Sequence, residues 1–472
     1  MDCADELLGL DATAMAELVS RGDVTATELV DTAAARLAAT NPALNAVIHP
    51  SIARARQSAA TRVPEGPFTG VPFLVKDLIA HAAGEPFHEG VGALAKAEFR
   101  EDADSRLVQL FAAAGLLSIG RTNTSELGLL PTTEPLSYGP TRNPWDVSRS
   151  PLGSGGGSAA AVAAGVVPLA HTNDGGGSIR LPASACGLIG LKPTRGRVSL
   201  GPVYGDLISG TICEFAVTRS VRDTATLLAA VSGADVGDPY APPTGSRGAG
   251  SPVHVGVMTT SPRGEFAVHA ACREAVELTA DVLEQLGYAV EIAHPPALDD
   301  SRFAAESVMI MPYAFAAFAL AWWERRTGRS FGPDDVESWT WVCAERGRRL
   351  SAVDYLSAVE YVQAWTRRLS RWWHDGYDLL LTPTVAEPPP LLGSFAAPRT
   401  GVRSAQVSTF TYPFNLSGQP AISLPCHRHG GLPIGVQLVA AHGQEDLLLR
   451  VSSELEQAMA WTTQMPPPAQ RS

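Results

Sequence analysis

Apolar positions recur at helical spacing near the N-terminus and gather into short blocks farther along. Asp11 precedes an apolar-periodic stretch that runs through Val19 and meets Gly22, which predicts a capped helix. Thr25-Ala26-Thr27-Glu28 has the reciprocal capping form, and Leu29, Val30, Ala33 and Leu37 follow at helical spacing. Asn41-Pro42 predicts the end of that second helix, because a proline ring disfavours helical backbone in the residue before it. Residues 1–60 thus read as an N-terminal helical region.

From Phe68 onward short apolar blocks that read as strands alternate with stretches at helical spacing. Strands are predicted over 71–75 and 116–119 with a helix over 106–114 between them. Residues 131–201 are dominated by Gly, Ser, Thr and Pro and read as a loop system holding one Ala-rich helix over 158–164. After a Gly/Pro-rich surface connection at 233–252, a strand (253–258), a helix (266–286) and a strand (289–293) resume the alternation. Residues 300–373 read as mainly helical, followed by a strand at 434–439 and a helix at 445–459. The expectation is an α/β fold, a mixed β-sheet core flanked by helices on both faces. One domain is expected to span 1–472, with 61–232 carrying the motifs below and 300–395 forming a helical cap.

The 472 residues carry 36 basic and 48 acidic side chains, a formal charge of −12, which disfavours a nucleic-acid groove. The longest nearly apolar runs, 159–170 and 313–323, fall short of the roughly 18 to 20 residues of a membrane-spanning helix. Asp2, Asp5 and Glu6 open the chain with no basic lead into an apolar stretch, so no secretory signal and a cytoplasmic location are expected. Six scattered cysteines lack any C-x-x-C spacing and read as reduced thiols. Cys426, His427 and His429 form a ligand-like group, but a surface turn before Gly430-Gly431 is the expectation, and neither metal nor cofactor is invoked. Seven of the nine tryptophans fall between 322 and 373, where core packing accounts for most of them.

Only Lys76, Lys96 and Lys192 are lysines, so arginine serves wherever a plain positive charge suffices. Lys76 lies in an apolar block, Gly70 to Ile79, where burial would favour its neutral form. Lys192 reads as a scaffold residue and Lys96 as an exposed charge. Two glycine runs, Gly153-Ser154-Gly155-Gly156-Gly157-Ser158 and Asp174-Gly175-Gly176-Gly177-Ser178-Ile179-Arg180, each set a serine beside uncovered backbone. Successive glycine amides can converge on an oxyanion. Neither run has the G-x-x-x-x-G-K-[ST] or G-x-G-x-x-G form of nucleotide loops, and G-x-S-x-G and S-x-x-K are absent. His171 sits in an apolar stretch and reads as a satisfied core histidine, which leaves serine with a lysine base.

In order, Gly70 to Asp77, the two runs, Leu181-Pro182, Gly190-Leu191-Lys192-Pro193-Thr194, Pro413-Phe414-Asn415, Gly418-Gln419-Pro420-Ala421 and Gly431 to Gln437 resemble the amidase signature family. The likeness covers nearly the whole chain. It implies a Ser-Ser-Lys triad with Ser178 as nucleophile, Ser154 as bridging serine after a cis peptide from Gly153, and Lys76 as base. It further implies an oxyanion hole from the N–H groups of Gly175, Gly176, Gly177 and Ser178, with Asp174 and Arg180 orienting the two loops or acting as a purely structural ion pair. One departure is Gly155, where the family commonly has a second serine, which puts a supporting hydrogen bond in doubt. Several segments look similar to the branch that acts on nylon-type oligoamides, so a small-molecule amide substrate is expected, with no nucleic acid or membrane partner and a homodimer left open. The alternatives are the amidase subunit of a tRNA-dependent amidotransferase, against which Arg195 stands where an aromatic residue is typical, and a catalytically silent relative.

Overall fold

The computed structural model describes residues 7–61, 63–241, 252–302, 309–398, 400–461 and 466. Eleven strands form its sheet: β1 (Val47–Pro50), β2 (Pro72–Lys76), β3 (Leu117–Thr122), β4 (Leu169–Asp174), β5 (Ile189–Lys192), β6 (Cys213–Thr218), β7 (His254–Val257), β8 (Ala289–Ile292), β9 (Leu379–Pro383), β10 (Ala421–His429) and β11 (Leu432–Ala440). Their order is β1-β3-β2-β4-β6-β5-β10-β11-β9-β7-β8. The sheet is mixed: β1 pairs antiparallel at one edge, β3, β2 and β4 run parallel next to it and β9, β7 and β8 at the other end, with antiparallel pairs between. The sheet is flanked by helices, the arrangement of an α/β protein. It runs on through both sides of the 233–252 connection, of which 242–251 lie outside the described residues.

β2, β4, β5, β6 and β9 are buried along their whole length. Strands covered on both faces have no polar face, so their sequences lose the period-two alternation that marks a half-exposed strand. That is why β4, β5 and β6 escaped the pattern reading, and the 131–201 segment is correspondingly less loop-like than expected. It holds β4, β5 and the helices Gly156–Ala163 and Arg180–Cys186.

The N-terminal helices form as their caps dictate. Asp11 accepts the Ala14 amide at 3.0 Å, Gly22 closes Ala12–Arg21 with φ 75°, and the Thr25/Glu28 capping box opens Ala26–Leu44. Pro42 lies inside that helix, against expectation. In the last turn the missing N–H forfeits a single hydrogen bond, and Asn41 Oδ1 accepts the Ala46 and Val47 amides at 2.9 Å each, which fixes the exit. The helix expected over 266–286 begins at Ala270, capped by the His269 ring, and the C-terminal helix is Glu445–Met459 as read.

Two further expectations are corrected. Cys426, His427 and His429 lie on β10, not in a turn, and among the described residues their ligand atoms do not gather into a metal-holding group. The 300–395 segment is not helical throughout: after Ile310–Thr327, Ser338–Arg348 and Ala352–His374, β9 enters the sheet between β11 and β7.

Candidate active site

Lys76 ends β2, and its side chain is fully buried. Nζ donates to Ser154 Oγ at 2.8 Å and to Asn173 Oδ1 at 2.6 Å. Burial pulls its pKa down to about 7, against the upward pull of the Glu214, Asp174 and Glu89 carboxylates. A neutral amine is therefore populated near neutral pH, which arginine could not provide.

The groups around this amine come from the pairing of β4 with β6. Asn173 lies directly opposite Glu214, and its Nδ2 donates to Glu214 Oε1 at 3.2 Å and to Leu78 O at 2.9 Å. His171, two residues earlier on the same face, accepts the Lys76 amide at Nδ1 (3.2 Å) and meets Glu214 through Nε2. His171 is thus a satisfied core histidine, as read, held neutral by burial.

The first glycine run is fixed by its neighbours. The Gly153–Ser154 peptide is cis. Thr133 Oγ1 donates to Leu152 O at 3.0 Å and to Ser154 O at 3.3 Å, and accepts the Gly156 amide at 3.1 Å. A Cβ on Gly153 would lie 2.4 Å from the Thr132 backbone, so the close approach requires glycine. Ser158 Oγ, in the following helix, donates to His171 O at 2.7 Å.

The second run wraps around Asp174. Its carboxylate accepts the amides of Gly177 (2.6 Å), Ile179 (3.2 Å) and Arg180 (3.4 Å), Arg180 Nε and Nη2 (3.0 Å each), and Asn415 Nδ2 (2.9 Å). Its pKa falls to about 2: burial alone would raise it, and the charge and hydrogen bonds of Arg180 and the Asn415 amide outweigh that. Arg180 in turn reaches Thr411 O (2.9 Å), Asn415 Oδ1 (2.6 Å) and Gln437 Oε1 (2.7 Å). Asn415 and Gln437, quoted above as motif residues of no assigned role, thus lock the second run to the helix Tyr412–Ser417 and to β11. Two expectations change. The Asp174–Arg180 pair holds the second run and not the first; the runs meet directly, through the Gly155 amide on Ser178 O at 3.2 Å. The Gly177 N–H is committed to Asp174, whereas the amides of Gly175, Gly176 and Ser178 have no hydrogen-bond partner among the described residues.

Ser154, Asn173, Gly175, Gly176 and Ser178 line one cavity of about 220 Å³, and Ser178 is 9% exposed. The remaining wall is largely apolar, with Leu78, Ile212, Met311, Tyr313, Trp339 and Tyr412 prominent. Helices Ile310–Thr327 and Ser338–Arg348 and the segment 401–413 close over it, whereas the helix Ala352–His374 packs elsewhere. Trp339 alone of the described tryptophans lines the cavity; Trp323, Trp365, Trp372 and Trp373 are buried core. Lys192 is buried with Nζ on Pro193 O at 2.9 Å, and Lys96 is exposed. Residues missed from sequence were Asn173, Glu214 and Thr133. The usable signal was the polar run His171-Thr172-Asn173-Asp174 at the end of an apolar stretch, too polar for a plain core strand.

A mixed-sheet α/β protein with a buried lysine hydrogen-bonded to a serine, and a second serine on a glycine loop in the same cavity, has the architecture of an amide hydrolase. The amidase family model matches residues 28–449, and the chain belongs to that family of C–N hydrolases. It is 42% identical over 480 residues to 6-aminohexanoate-cyclic-dimer hydrolase of Paenarthrobacter ureafaciens, covering 97% of this chain and 96% of that one. The solved structure of 6-aminohexanoate cyclic dimer hydrolase complexed with substrate superposes with a TM-score of 0.94 at 40% identity, covering 98% of this chain and all of the other. A bacterial aryl acylamidase of the amidase signature enzymes gives 0.87 at 26% identity, covering 98% of this chain and 99% of that one.

Proposed function

We propose that the chain hydrolyses neutral amides of oligoamide, anilide or carbamate type through a Ser-Ser-Lys relay and an acyl-enzyme. The observation that carries the reading is the Lys76 Nζ to Ser154 Oγ hydrogen bond of 2.8 Å, from an amine whose pKa lies at about 7, in the cavity that Ser178 lines. Neutral Lys76 takes the Ser154 proton, Ser154 takes that of Ser178, and Ser178 Oγ attacks the carbonyl carbon. The oxyanion is met by the free amides of Gly175, Gly176 and Ser178. Collapse breaks the C–N bond, and the amine leaves with the proton returned along the same path. Water, deprotonated by the relay, then releases the acid from Ser178.

The apolar wall supports a neutral substrate with an apolar acyl or aryl part, and the likeness to a hydrolase named for 6-aminohexanoate cyclic dimer supports an oligoamide. Free thiols at all five described cysteines favour a reducing, cytoplasmic setting, and none of the described helices is long and apolar enough to cross a membrane. The test is a panel of amides, anilides, carbamates and esters read by released amine or alcohol. Turnover of apolar amides, and of the ester that shares their acyl group, is expected. Glutaminase activity dependent on a partner protein, with no apolar amide turned over, would assign the chain to the amidotransferase subunits. No turnover of any substrate by a folded protein would leave the silent relative.

A further inference from the structure

The space around position 155 is already taken. A Cβ built on Gly155 would lie 2.0 Å from Thr172 Oγ1 and 2.6 Å from Ser178 O. A serine at 155 and the threonine at 172 therefore compete for one volume. Thr172 Oγ1 donates to Ser178 O at 3.4 Å, on the oxygen that also receives the Gly155 amide at 3.2 Å. Thr172 is fully buried on β4. Strand alternation sends it and Asp174 to one side while His171 and Asn173 face the base. Asp174 accepts the amide of Ile179, the next residue along. The peptide after Ser178 is thus gripped on its oxygen by Thr172 and Gly155 and on its nitrogen by Asp174.

We propose that Thr172 is a positioning residue for the nucleophile: its hydroxyl, brought from β4, takes the place of a side chain at position 155 and aims Ser178. The inference rests on Ser178 being the nucleophile. It explains why a glycine is required beside Ser154. Aiming acts on the reacting geometry and not on the cavity wall, so its signature is a loss in kcat with little change in KM.

Thr172→Val keeps the shape and removes the hydroxyl, and Ser178 O retains the Gly155 amide. It is expected to lower kcat at least roughly tenfold with KM within about threefold, while Thr172→Ser stays within about threefold of the parent. Gly155→Ser alone should lose at least as much, and Gly155→Ser with Thr172→Gly should recover at least roughly fivefold of that loss, because one hydroxyl then replaces the other. A smaller loss in folded Thr172→Val, a loss confined to KM, or a double variant no better than Gly155→Ser would overturn the proposal. Should Thr172→Val not fold, the Gly155/Thr172 exchange decides alone. Ser178→Ala separates the two readings: retained turnover there refutes the nucleophile itself, whereas a dead Ser178→Ala beside a normal Thr172→Val refutes only the role of Thr172.

Discussion

Replacing Glu214 with glutamine removes a charge from the base's surroundings while keeping the size of the side chain. Glu214 heads the carboxylates that hold the Lys76 pKa up against burial. Two hydrogen bonds through one amide, 2.6 Å from Nζ to Asn173 Oδ1 and 3.2 Å from Nδ2 to Oε1, connect the amine to the carboxylate. Allowing for the width of the amide, the charges lie within roughly 8 Å, and at an effective dielectric of about 20 their attraction is worth about 2 kcal/mol. That corresponds to one to two pH units. The sign follows from which form each charge favours: the carboxylate favours the protonated amine, so its loss lowers the Lys76 pKa below about 7. The acid limb of kcat/KM, which requires the neutral amine, should move to lower pH by roughly one unit or more. Glu214→Gln should therefore gain on the parent near pH 6 and lose above pH 8, where its amine is the weaker base. The assay is a kcat/KM profile on one neutral amide, with Glu214→Asp as the charge-retaining control. An unmoved limb in a folded, active Glu214→Gln, or a shift to higher pH, would refute the coupling, and with it Lys76 as the titrating group.

Lys76→Arg, which keeps the charge but cannot shed it near neutral pH, should abolish turnover at unchanged fold; near-normal kcat would exclude Lys76 as base. Asp174→Asn leaves the fully buried Arg180 guanidinium without its counter-charge and should cost roughly 3 to 5 kcal/mol in chemical denaturation, with activity lost as the second run loosens. Trp365→Ala should destabilise by roughly 3 to 5 kcal/mol with KM barely changed, whereas Trp339→Ala, on the cavity wall, should raise KM for bulky apolar amides at near-normal stability. Chelators should leave the rate unchanged, since every proton-moving group in the relay is a side chain of the protein; loss restored by zinc would call for a metal step.

What the sequence could not reveal is governed by distance along the chain. Lys76, Ser154, Ser178 and the Asp174–Arg180 pair lie in local runs whose composition announces them: a lysine in an apolar block, and serines among glycines. The helix caps at Asp11, Thr25 and Gly22 are equally local, since the residue that starts or stops each helix sits within four positions of the group it satisfies. Glu214 has no such mark. It becomes a partner of the base only because β4 and β6 pair antiparallel with Asn173 opposite Glu214, 41 residues away, and a shift of one residue in that register would turn its carboxylate to the other face of the sheet. The same register sorts β4 into two jobs. His171 and Asn173 face Lys76, while Thr172 and Asp174 hold the loop that carries Ser178. A strand buried on both faces has no solvent side to reveal that division through hydropathy, so it emerges only when both neighbours of β4 are in place. The glycine at 155 belongs with these long-range features: its reason is a threonine 17 residues away on the strand beneath it.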